Sequence, residues 1–220
     1  MSHTRCLDLD WAADLVSVDP VRRASALSRH YETEERHAVA LRRVNEIWQQ
    51  AGTLCPAELH LAAALEQAIA ETRESHRHLF LGAVCDWYDH CEDSDRYLPY
   101  ALLFLEWEAY FPEDWPAMWE TKRKVLRRFA REPRLTRDVR ERLLDLVDSA
   151  IRREHRCEDA GYAAVARAID GAQLRLRVAQ ARRAQDPLFR VRADFIHHLL
   201  VNPQVSARPT SWHRWLRSEP

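Results

Sequence analysis

Between residues 79 and 120 the chain gathers ten carboxylates, the single arginine Arg96 and 11 of its 20 aromatic side chains. Carboxylates steer a cation inward and Trp or Tyr faces hold it, so this composition suits a surface for a basic partner. On a helix, Asp86, Asp89 and Asp93 fall at three- and four-residue spacing and share one face. Farther on, Glu108 flanks Trp107, and the corner between Pro112 and Pro116 presents Asp114 beside Trp115. Asp86, Asp89, Asp93, Glu108, Asp114 and Trp115 are the expected contacts with a basic protein, in which acids raise the association rate and aromatics anchor it. The competing reading makes Trp87, Phe104, Trp107 and Trp119 core and the acids a solvated face.

A second charged stretch follows at once. Residues 121–142 hold ten Arg or Lys against three acids, and Arg123, Arg127, Arg131 and Arg134 are spaced to form a stripe along a helix. Such a stripe meets phosphates in helical nucleic-acid binders. The acidic stretch directly before it repels a polyanion, so nucleic acid stands behind a basic protein as the expected partner. The division runs through the whole chain: residues 1–120 carry 22 acids against 10 arginines, and residues 121–220 carry 12 against 23 Arg and Lys. A homo-oligomer joined through the two halves is a third reading, and it predicts dissociation as salt rises.

The histidines raise metal chemistry. Glu71 and His78 form an E-x6-H pair, and Asp194 and His198 form D-x3-H near the end. That order is similar to the ligand pattern of heme-oxygenase-like di-iron oxidases. The resemblance implies an all-helical oxidase with a di-iron or other divalent metal centre, completed by Glu46 and either Glu154 or Glu158. With 34 acids and 11 histidines in 220 residues, any one acid-to-His spacing recurs about twice by chance. Glu34-x-x-His37 resembles half of a ferritin-like site, and no second copy completes it. Cys85, His90 or Cys91 with His155 and Cys157 match no zinc-knuckle spacing. There is no G-x-S-x-G and no Gly-rich phosphate loop. The balance therefore leans away from an enzyme, with no cofactor, and toward a neutralising or scaffold protein.

Almost every segment that must position these residues reads as helix. The four glycines and ten prolines mostly punctuate three- and four-residue apolar spacing, so the expected fold is all-α with about eight helices. Asp19 and Pro20 open a long helix with Leu27, Tyr31, Ala38, Leu41, Val44 and Trp48 as its stripe, closed by Gly52. Pro56 opens a second, running toward Cys91 with a weak point near His76 or Gly82, and the two form an antiparallel hairpin. Asp95 caps a helix over about 96–111 and Asp114 one over about 115–131. Thr136 caps a helix of about twenty residues with Val139, Leu143, Leu146 or Val147 and Ile151 inward. Shorter helices follow at about 159–169, 172–185 and 187–201.

Asp19-Pro20-Val21-Arg22, Asp138-Val139-Arg140 and Asp186-Pro187-Leu188-Phe189-Arg190 each run from a capping Asp into Arg and apolar residues. This resembles helix starts in HEAT-like repeat proteins and implies solenoid character over roughly the last 90 residues; an irregular bundle fits the uneven spacing equally well. One all-helical domain over 1–202 is expected, acidic to 120 and basic beyond, with 203–220 as a tail bearing a short Trp-containing segment. No apolar run spans a bilayer, the first ten residues lack the pattern of a signal peptide, and the five cysteines form no CxxC pair. A cytoplasmic protein with reduced thiols follows from these. The preference for Arg over Lys points to a GC-rich bacterial genome.

Overall fold

The computed structural model describes residues 8–51, 59–89 and 94–218. Ten α-helices and one 3-10 helix make up the described residues, which contain no strand, so the fold is all-α with more and shorter helices than expected. In order they are a 3-10 helix Asp10–Val16, α1 Pro20–Ala51, α2 Leu59–His76, α3 Phe80–Asp89, α4 Ser94–Tyr110, α5 Trp119–Phe129, α6 Arg137–Arg152, α7 Gly161–Ala168, α8 Ala172–Ala181, α9 Pro187–Val201 and α10 Pro209–Ser218. The chain divides into two compact units, residues 1–104 and 105–220, with the boundary inside α4.

In the N-terminal unit, Asp19 Oδ1 accepts from the Val21 amide at 2.9 Å and starts α1 as its type and place dictate. The α1/α2 hairpin is antiparallel: His37 meets Ser75 and Arg43 meets Glu71. The expected second helix breaks after His76, the anticipated weak point, and α3 begins at Phe80. The α1 stripe is not the apolar one. Tyr31, Leu41 and Trp48 are 57%, 43% and 57% exposed, whereas Ala26, His30 and Thr33 are buried. Two helices side by side cover only a narrow seam, and here small and polar residues fill it. Phe80, Val84 and Trp87 of α3 and Leu98, Ala101 and Leu102 of α4 supply most of this unit's large apolar core.

The C-terminal unit follows its sequence signals more closely. Thr136 Oγ1 accepts from the Val139 amide at the start of α6, and Val139, Leu143, Leu146, Val147 and Ile151 are all buried. Asp186 caps α9 through the Leu188 amide at 2.7 Å. Asp138 lies inside α6 and caps nothing, so the three-fold echo of helix starts has no common structural role. Asp114 does not open α5 either. Ala117 turns through the left-handed region (φ 53°), and the helix begins only at Trp119. α7 packs against α5, α6 and α9. The segment expected as a tail joins this unit: Trp215 is 9% exposed in a cluster with Ala163, Phe195 and Leu199.

Gly161 permits a close approach of α7 to α5. A Cβ there would stand 2.8 Å from Leu126 Cδ1 and 3.0 Å from Leu126 Cβ, so α7 lies against α5 only because residue 161 has no side chain. Gly161→Ala should therefore lower stability by about 1–3 kcal/mol through overpacking, although alanine favours a helix by about 1 kcal/mol. Urea denaturation checks this, and a raised midpoint would show that α5 and α7 part without strain.

Candidate anion-binding groove

The structure separates the six expected partner contacts. Glu108 is wholly buried and Trp115 is 6% exposed, packed against Trp119 with the rings tilted and their centroids 4.9 Å apart. Neither has surface to offer a partner, which corrects the expectation for these two. Trp87, Phe104 and Trp107 are likewise core. Asp86 is half-buried, 3.4 Å from His76 Nε2; Asp89 is exposed, Asp114 half-buried, and Asp93 lies outside the described residues.

The metal residues do not converge. Glu71 is held by Arg43 at 2.9 Å, Asp194 by Arg182 at 2.5 Å, and His78 stands 3.7 Å from Glu74. The His198 ring lies tilted beside Trp215, with centroids 6.4 Å apart. Among the described residues no three of His, Cys, Asp or Glu form a group able to hold a metal, so the arrangement that the di-iron resemblance implied is missing there. Of the thiols weighed for zinc, Cys85 and Cys157 form no disulfide among the described residues and Cys91 lies outside them.

What the acidic and basic stretches build instead is a buried ion network within the C-terminal unit. Lys122 Nζ, 0% exposed, donates to Asp159 Oδ1 at 2.6 Å and to the Cys157 carbonyl at 3.0 Å, and lies 3.3 Å from Glu108 Oε2. Arg153 grips both Glu108 oxygens at 2.8 and 3.0 Å and reaches Asp159 at 2.7 Å. Arg156 adds a contact to Glu108 at 3.0 Å, and its own amide donates to Asp159 Oδ2 at 2.8 Å. The rings of Trp119 and Tyr162 each lie 5.6 Å from the ammonium. Burial pushes the Glu108 carboxyl up, but the Arg153 hydrogen bond and the Lys122 charge outweigh it and hold it below its ordinary 4.5. Burial keeps the Tyr162 phenol protonated. Two carboxylates facing three cations satisfy nearly every lone pair that burial would otherwise strand, the condition under which a buried ion cluster is tolerated.

This network locks Lys122 to the inner side of α5 and so turns Arg123, Arg127 and Arg131, each four residues on, to the outside. They line a groove of about 800 Å3 together with Arg167 of α7 and Arg208, just before α10. Its floor is Ala160, Gly161, Ala164 and Ala168, whose small side chains leave the α7 backbone approachable. Arg123 is tied to Glu120 at 2.5 and 2.9 Å, and Arg167 donates to the Leu199 carbonyl at 2.8 Å. The guanidinium groups of Arg127, Arg131 and Arg208 make no hydrogen bond or ion pair among the described residues. Glu158, held in the left-handed region at φ 65°, is the one acid on the rim. Arg134, the last of the expected stripe, is exposed outside the groove lining.

Elsewhere in the unit several arginines are matched with acids: Arg142 grips Glu106 at 2.6 and 2.7 Å, Arg152 holds Asp148, Arg175 holds Asp170 and Arg177 holds Asp145, whereas Arg140 and Arg190 donate to backbone carbonyls. Guanidinium groups converging on one groove without hydrogen-bond partners raise the local anion concentration and offer planar donors to phosphate or carboxylate. A separate cavity of about 60 Å3 beside Ile151, Tyr162 and Phe195 is far smaller than ordinary ligand clefts of roughly 300–1,000 Å3. No family model, curated protein or solved structure matches this chain.

Proposed function

We propose that the protein is a non-enzymatic binding module whose C-terminal unit holds a phosphate-bearing polyanion in the groove between α5, α7 and the segment entering α10. The observation that carries this reading is the set of three arginines whose guanidinium groups make no hydrogen bond or ion pair among the described residues, Arg127, Arg131 and Arg208, brought to one groove from positions up to 81 residues apart. Residues 105–220 carry 23 Arg and Lys against 17 acids, a net +6 within the unit that holds the groove. A groove of about 800 Å3 lined by five arginines holds several anionic groups at once, which favours a polymer over a single phosphate.

A basic protein partner on residues 86–120 retains Asp89 and half-buried Asp86 and Asp114 as contacts, with no exposed Trp115 to anchor it. That surface is too sparse to lead. The polyanion reading is tested by fluorescence anisotropy with end-labelled inorganic polyphosphate. Arg127→Glu with Arg131→Glu should weaken binding at least about tenfold, since each lost charge-assisted contact is worth about 1.5–3 kcal/mol. Equal affinity of wild type and double variant would overturn the assignment.

A further inference from the structure

The geometry points to double-stranded nucleic acid, gripped by its phosphates without regard to sequence, as the ligand of this groove; the inference rests on the polyanion reading above. Three features of the lining select it. Arg127 near the end of α5 and Arg131 in the turn just beyond it both line the groove and so present two neighbouring donors to a row of phosphates. Ser206 and Thr210 flank Arg208 on the opposite wall, and hydroxyls beside guanidinium groups are the usual makers of phosphate contacts.

The third feature is chemical. Proteins that hold single strands add aromatic side chains on which unstacked bases lie, and those that read sequence add amides or carboxylates shaped to base edges. The groove lining has no aromatic residue, no Asn and no Gln, and its floor is alanine and glycine. It has no aromatic ring on which a splayed base could lie and no Asn or Gln to pair with adenine. A duplex keeps its bases stacked internally and shows the protein a denser line of charge, which is all that this surface can use.

The test is anisotropy at fixed ionic strength with two labelled 20-base-pair DNA duplexes of unrelated sequence and the single strand of one of them, inorganic polyphosphate serving as a further probe. Both duplexes should bind within about twofold of each other and at least about fivefold tighter than the single strand. Three phosphate contacts predict a slope of log K against log salt of about −3. The variant Arg127→Gln, Arg131→Gln, Arg208→Gln, with its helical circular dichroism unchanged, should lose at least about thirtyfold. Single-strand binding equal to or tighter than duplex binding, or a difference above tenfold between the two duplexes, overturns the duplex inference. If polyphosphate binding still depends on the arginines in that case, the polyanion reading survives. If none of the probes binds, both fall.

Discussion

Lys122→Met is expected to cost about 3–5 kcal/mol of stability, a large share of the roughly 5–15 kcal/mol by which a domain is folded. The ammonium is 0% exposed and serves Asp159, Glu108 and the Cys157 carbonyl at once. Methionine fills its volume and restores none of these contacts. The residual carboxylates keep Arg153 and Arg156, so the loss should lie near the lower end of that range. Adding Asp159→Asn should recover part of it, because the second change removes the carboxylate that the first left under-neutralised; a double-mutant cycle by urea denaturation measures the coupling. Acid should act in the same direction. Glu108 titrates below 4.5 when folded, so its share of stability is full above that pH and drains away as pH falls through the lower folded value. A loss under about 1 kcal/mol for Lys122→Met would mean that Arg153 and Arg156 alone hold the network.

That network explains both what local sequence patterns reveal and what they hide. Thr136 with its apolar stripe and Asp186 with Pro187 declare α6 and α9 because cap and burial signals lie within the helix itself. The α1 seam of Ala26, His30 and Thr33 was hidden because a paired helix need bury only a thin strip, and small or polar residues suffice for it. The late start of α5 was hidden by Ala117, a residue type that seldom takes positive φ.

The same contrast runs through the site. Arg123, Arg127 and Arg131 announce a stripe by four-residue spacing, and the groove contains all three. Glu108 looked like a surface acid because carboxylates usually are, and only partners 14 to 48 residues away make its burial tolerable. One hint was present: Lys122 is one of only two lysines among 33 basic residues. Where arginine is the default cation, a lysine marks a place that needs a compact ammonium with three donors and not a planar fork. Arg208 and Arg167 carried no comparable mark, since nothing near them in sequence shows that α7 and the approach to α10 face α5.

His30 should make the N-terminal unit acid-sensitive well above the carboxylate range. Burial drives its ring from 6.5 down to about 4. Between those values the unfolded chain takes up a proton that the folded ring refuses, so this stability is complete above pH 6.5 and is lost as pH falls toward 4. A displacement of this size corresponds to about 3 kcal/mol. Its neighbours do not all agree in sign. His37, lowered by burial and by the His76 charge, adds to the loss. His76, raised chiefly by its hydrogen bond to Asp86, and Glu34, raised by burial, gain protons more readily folded and offset part of it. The His30 contribution is isolated by comparing wild type with His30→Leu, because the shared terms cancel when the neighbours are unchanged. The stability gap between the two proteins should move by about 3 kcal/mol in favour of the variant between pH 7 and pH 4. The His30 ring resonance should titrate near 4 by NMR. A resonance that titrates at 6.5, with a stability gap independent of pH, would show that the α1 seam opens to solvent at little cost.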